Sequence, residues 1–157
     1  MEPIIRIIAV GGLKERCLLQ AEKYYLSRLK PMYNISVIEL PDEPAPDYLS
    51  AAGRQAVLAC EGRRIISRFM PSNVKASLAV SGIPVDMAFF RNLIYKPAME
   101  NRRLDFIIGG SLGLSENVLR QSDYKISLSR FTFPHRLSRL ILLEILLQAN
   151  IAGGEPT

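Results

Sequence analysis

Tryptophan is absent from the 157 residues, histidine occurs once, and there are only two cysteines. Cys17 and Cys60 are far apart and belong to no CxxC pair, so neither a zinc site nor a disulfide framework is expected, and two lone thiols suit a reducing cytoplasm. Long uncharged apolar stretches are missing too. The opening run Ile4 to Val10 is interrupted by Arg6 and ended by Gly11-Gly12, which is too short for a signal sequence or a membrane span. Ten glycines and ten prolines are scattered and form no low-complexity tract, which speaks against a disordered linker.

What is present is a chain with 48% apolar and 22% charged residues, long enough for one good core and too short for two ordinary domains. A single domain over residues 1–157 is therefore expected. The net charge of +5 favours a polyanionic partner without identifying one.

Strand and helix patterns alternate along the chain. Ile4 to Val10 reads as a strand buried on both faces, and Lys14 to Leu29 as a helix stopped by Pro31. Ile35 to Leu40 is a second strand, followed by the loop Pro41 to Pro46 and a helix from Leu49 to Phe69. Val74 to Val80 alternates as a third strand, and Gly82-Ile83-Pro84 has turn chemistry leading to a helix from Val85 to Tyr95. Leu104 to Ile108 is a fourth strand. Ser115-Glu116 then opens a helix that runs to Ser122. Ile126 to Ser129 is a fifth strand, before a last helix from Arg136 to Ile151 that is apolar nearly all the way round. The order implies an α/β fold, a mainly parallel sheet with helices on both faces. A domain of this size has little material to wrap such a terminal helix, so a dimer interface is expected along it.

Two segments hold candidate chemistry. Ile107 to Leu114 puts Gly109, Gly110 and Gly113 after a strand and before a helix, where open α/β sheets bind ligands and where backbone can approach a ligand that a Cβ would keep away. The spacing is GGxxG, so dinucleotide and phosphate-loop readings are weak, and Ser111 lacks the context of a serine nucleophile. Ser127 to Arg136 is a polar and aromatic loop in which Pro134 forces a corner and His135 supplies the lone imidazole between arginines. Asp105 and Glu144 are distant carboxylates, each explicable as a strand-edge or interface charge.

Phe106-Ile107-Ile108-Gly109-Gly110-Ser111-x-Gly113-Leu114, then Leu128-Ser129-x-x-Thr132-Phe133-Pro134-His135, Arg139, Glu144 and the closing Gly154-Glu155-Pro156 together resemble the ribosomal large-subunit methyltransferase H family of the SPOUT superfamily. The Pro41-Asp42-Glu43 loop and Glu61-Gly62 extend the resemblance over the whole chain. It implies a SPOUT fold with a C-terminal trefoil knot, a homodimer, and methyl transfer from S-adenosylmethionine to N3 of a pseudouridine in 23S (large-subunit) ribosomal RNA; a domain this small offers little surface for reading RNA sequence, so recognition within an assembled ribosome is expected. Carried over by residue, the cofactor positions are Leu78, Gly109, Leu128, Ser129, Arg130, Phe131, Thr132 and Phe133. His135, Arg136 and Arg139 flank that loop and are the expected catalytic residues, offsetting negative charge that develops on the acceptor base. The family pattern carries Tyr-His-Lys after Gly-Glu-Pro where this sequence has Thr157, and Tyr and Arg at the places of Leu147 and Gln148. A knotted dimer that binds cofactor or RNA without turnover is the alternative expectation, and a flavodoxin-like nucleotide module is a third.

Overall fold

In the computed structural model, which describes residues 2–151, five parallel strands form one sheet in the order β2-β1-β4-β3-β5. The strands are β1 (Ile4–Val10), β2 (Asn34–Leu40), β3 (Val74–Pro84), β4 (Leu104–Ile108) and β5 (Tyr124–Ser127). The helices between and after them are α1 (Arg16–Leu29), α2 (Ala51–Ile66), α3 (Met87–Met99), α4 (Glu116–Gln121) and α5 (His135–Ile151). The closing Gly154-Glu155-Pro156 motif lies outside the described residues.

β1 shows why a nearly unbroken apolar run makes a central parallel strand. Ile5, Ile7 and Ala9 enter a large core with residues of α1, α3 and α5, while Ile8 and Val10 point to the other face and pack with Ile65 of α2 and Val118 of α4. Each fully buried Ile or Leu contributes roughly 1.5–3 kcal/mol to the folded state. β4 is buried along its whole length between β1 and β3, which requires its one charge to be paired. Asp105 accepts from Arg6 Nε at 2.7 Å and from Asn73 Nδ2 at 3.0 Å, and it is 0% exposed. It is an interior ion pair and not a strand-edge charge, because β4 sits in the middle of the sheet.

Helix boundaries follow local chemistry. Ser50, Asp86 and Ser115 each accept a backbone N–H as the N-cap of α2, α3 and α4. α3 continues past Tyr95 to Met99 with Pro97 inside its last turn, and Asn101 at φ 55° closes it, with Arg102 N–H donating to Pro97 O at 2.8 Å. That pairing, with a left-handed residue before it, is a Schellman-type stop.

One expectation is corrected here, and the premise of another is revised. Gly82-Ile83-Pro84 is not a turn but the far end of β3. Leu78 and Ile83 both pair with Ile126 of β5, so residues 79–82 bulge out of the ladder. Gly82 permits this because a Cβ there would stand 2.7 Å from the backbone of Lys125 and Ile126. The last helix is also better covered than its composition suggests. Leu140, Leu142, Leu143, Leu146, Leu147 and Ala149 are buried within this one chain, against α1 and α3, leaving Leu137 as the exposed large apolar residue among those of the helix whose side chains are described. Tyr33 Oη donates to Leu146 O at 3.0 Å and Arg91 Nε to Ala149 O at 3.1 Å, which fixes α5 on that face. An uncovered face of α5 therefore does not by itself call for a second copy.

Candidate active site at the carboxyl ends of the strands

The order β1-β4-β3-β5 brings the carboxyl ends of β3, β4 and β5 together, and the chain leaves each of them by a loop. A cleft of about 1090 Å³ opens between these loops. Its walls are Leu78 with the β3 bulge (Ala79 to Ser81), the glycine loop after β4 (Ile108 to Leu114), the segment after β5 (Ser127 to Ser129, Thr132 to Pro134) and the start of α5 (His135, Ser138). Crevices of this kind, at strand ends where neighbouring connections diverge, are where open α/β sheets take ligands. A second hollow of about 320 Å³ lies near the start of β3, lined by α3 residues with Asp123 and Tyr124, and shares no residue with this cleft.

The glycine loop is a tight turn. Gly113 N–H donates to Gly110 O at 3.1 Å, and Gly113 takes φ 84°. Gly109 is buried, and a Cβ on it would stand 2.3 Å from Gly113 O. The side chain is absent there so that backbone can pass backbone within the loop, a more specific reason than approach to a ligand.

After β5, Ser127 Oγ donates to Ser129 O at 2.8 Å and Phe131 N–H donates to Ser129 Oγ at 3.0 Å. These local bonds compete with the strand ladder, so β5 ends at Ser127 and Leu128 and Ser129 belong to the cleft wall instead. Of the positions expected to hold cofactor, Leu78, Gly109, Leu128, Ser129, Thr132 and Phe133 line the cleft. Arg130 and Phe131 do not, and Phe131 is 77% exposed.

The three expected catalytic residues separate. His135 lines the cleft, and burial, with Arg136 adding to it, pushes its pKa down, while Asp42 opposes. Its imidazole is therefore biased to the neutral form. Arg136 points away to Glu15, with Nη1 to Oε1 at 2.9 Å. Arg139 is 3% exposed and sits between Glu22 of α1 and Glu39 of β2, at 2.8 Å and 2.6 Å from Nη2. Both arginines are paired with carboxylates of this chain, and neither lines the cleft. They anchor the first turns of α5, and with it His135.

Sequence reasoning missed the β3 bulge, Ala79 to Ser81, and Glu116, which is the one Asp, Glu, Lys or Arg among the described residues lining the cleft. An isolated glycine within a strand pattern was the available signal for the bulge. Nothing in the pattern around Glu116 distinguishes it from an ordinary first-turn acid.

Among the described residues no helix is long and apolar enough to cross a membrane. The family model described as "Predicted SPOUT methyltransferase" matches residues 4–156. Among curated proteins, the chain is 44% identical over 154 residues to a protein of Carboxydothermus hydrogenoformans named ribosomal RNA large subunit methyltransferase H, covering 97% of each chain. It is 42% identical to the protein of that name from Listeria welshimeri, again over 97% of each, and 39% identical to that from Moorella thermoacetica, over 96% of each. Matches of this length and identity make the chain a member of the SPOUT methyltransferase family.

Proposed function

We propose that the chain uses S-adenosylmethionine to methylate N3 of a pseudouridine in large-subunit ribosomal RNA, working as a homodimer with the C-terminal threading that the family resemblance implies. The observation that carries this reading is the large cleft assembled from the loops after β3, β4 and β5 in a chain so similar to proteins of that name.

The lining suits the methyl donor's chemistry. Leu78, Leu119, Leu128 and Phe133 offer apolar surface for a purine, while Ser81, Ser127, Ser129 and Thr132 offer polar groups for its ribose and amino-acid portions. Glu116 gives the cleft one negative group, which favours a cationic sulfonium over its neutral thioether product. Gly109 acts by keeping the glycine loop tight. When bound, S-adenosylmethionine supplies an activated methyl group, so acceleration comes mainly from alignment and from handling one proton.

His135 is the residue placed to handle it. A neutral imidazole can accept the proton from N3 of the acceptor base as the N–C bond forms, whereas an imidazolium could not. Arg136 and Arg139 fix His135 by tying α5 to Glu15, Glu22 and Glu39.

Calorimetric titration with S-adenosylmethionine and with S-adenosylhomocysteine tests the cofactor assignment. Saturable binding of both, weakened by Thr132→Glu, a change at an exposed cleft residue, with the melting temperature unchanged, is the expected result. A folded protein that binds neither would overturn it, and binding without methylation of ribosomes would favour the non-catalytic alternative.

A further inference from the structure

Glu61 lies in α2 and is only 4% exposed. Its Oε2 accepts the Glu43 N–H at 3.0 Å, which fastens the loop after β2 to the helix. Its Oε1 is buried and has no hydrogen-bond partner among the described residues. The neighbouring cation does not fill that gap, because Arg64 is engaged by Glu43 and by Pro41 O. A buried carboxyl with an open bonding position lowers stability, and groups of that kind concentrate where a site needs them.

The open oxygen faces the glycine loop. A Cβ on Gly110 would stand 3.0 Å from Oε1 and 3.1 Å from Oε2, so the loop backbone rests directly on the carboxyl group. At the next residue, a Cβ on Gly62 would stand 2.6 Å from Oγ of Ser115, the cap of α4. Consecutive residues of α2 thus support both ends of the loop that forms one wall of the cleft. Glu61 also holds the loop carrying Asp42, one of the charges that acts on His135.

We propose that Glu61 is a positioning residue for methyl-donor binding, whose free carboxylate oxygen takes a backbone N–H of the Gly110 to Leu114 loop when that loop closes on the donor. The proposal rests on the functional reading above. It places a specific acceptor beneath the cleft, outside the surface that touches ligand. Burial pushes the carboxyl of Glu61 up, with Asp42 and Glu43 adding to this and the Glu43 N–H and Arg64 opposing it. The other titratable group beside it on α2 is Cys60, whose thiol donates to Glu43. The acceptor is therefore present in mildly alkaline solution and is lost as acid protonates it.

Glu61→Gln is the test, because the amide keeps the bond to Glu43 N–H and places a donor where the free acceptor was. Melting temperature, calorimetric affinity for S-adenosylmethionine from about pH 8 to about pH 5, and amide exchange of residues 110–114 with and without donor are measured on both proteins. The expected result is an unchanged melting temperature and affinity roughly tenfold weaker near pH 8, about the effect of one hydrogen bond. Wild-type affinity falls on acidification by more than that of the variant, and donor slows exchange at residues 110–114 in the wild type only. Equal affinities near pH 8, or a loss matched by a lower melting temperature, would overturn the proposal. A wild type that binds no donor would overturn the functional reading and the positioning role with it.

Discussion

At Gly109 a single methyl group decides whether the glycine loop can form. Its Cβ would lie 2.3 Å from Gly113 O, a contact with backbone that no side-chain rotation relieves. Gly109→Ala is therefore expected to lower stability by roughly 1–3 kcal/mol or more, as overpacking does, and to lose donor affinity together with melting temperature. Thermal melts alongside titrations check this, and an alanine variant as stable as the wild type would contradict it. His135 and Arg139 carry the other lesson of single residues. Their types and their place after the Phe133-Pro134 corner were legible in the sequence, but their partners were not. Glu22 and Glu39 are more than a hundred and about a hundred residues from Arg139, separations of 117 and 100, and no local pattern reveals such a pairing. The same holds for Glu61, whose meaning depends on a loop that arrives from β4.

Elements differed in how plainly they could be read. β1 and β4 were visible at their observed ends because each is an apolar run closed by turn chemistry or glycine. β3 was visible only as far as Val80, since Gly82-Ile83-Pro84 reads locally as a turn and becomes strand only by pairing with β5. The bulge that forms one wall of the cleft fell in that gap. Asp105 was misread for a related reason: its neighbours in space, Arg6 and Asn73, lie on β1 and in the turn before β3. Removing it leaves the Arg6 guanidinium, whose side chain is 14% exposed, without its partner inside the sheet. Asp105→Ala should cost about 3–5 kcal/mol, as the loss of one member of a buried pair does. Denaturant unfolding of the variant measures this, and a loss below about 1 kcal/mol, the range of exposed pairs, would show that the pair does not hold the sheet.

For the whole molecule, the sheet order matters more than any one motif. The path from β3 back to β4 and then out to β5 gathers the loops after these strands into one cleft, while α5 turns back from the last of them across the core beside α1 and α3. The α/β class and the approximate place of the cleft followed from the alternation of patterns and from glycine after β4. The strand order did not, because it is set by which buried faces meet and leaves no periodicity of its own. A net charge of +5 agrees with an RNA substrate, and among the described residues lining the cleft there is no Lys or Arg, so those residues supply no attraction to phosphate. The most direct test is mass-spectrometric mapping of large-subunit RNA after unmethylated ribosomes are incubated with the protein and isotopically labelled S-adenosylmethionine. One labelled methyl group on a pseudouridine, lost with His135→Ala, is the predicted result. Ribosomes left unlabelled by a protein that binds the donor would contradict it.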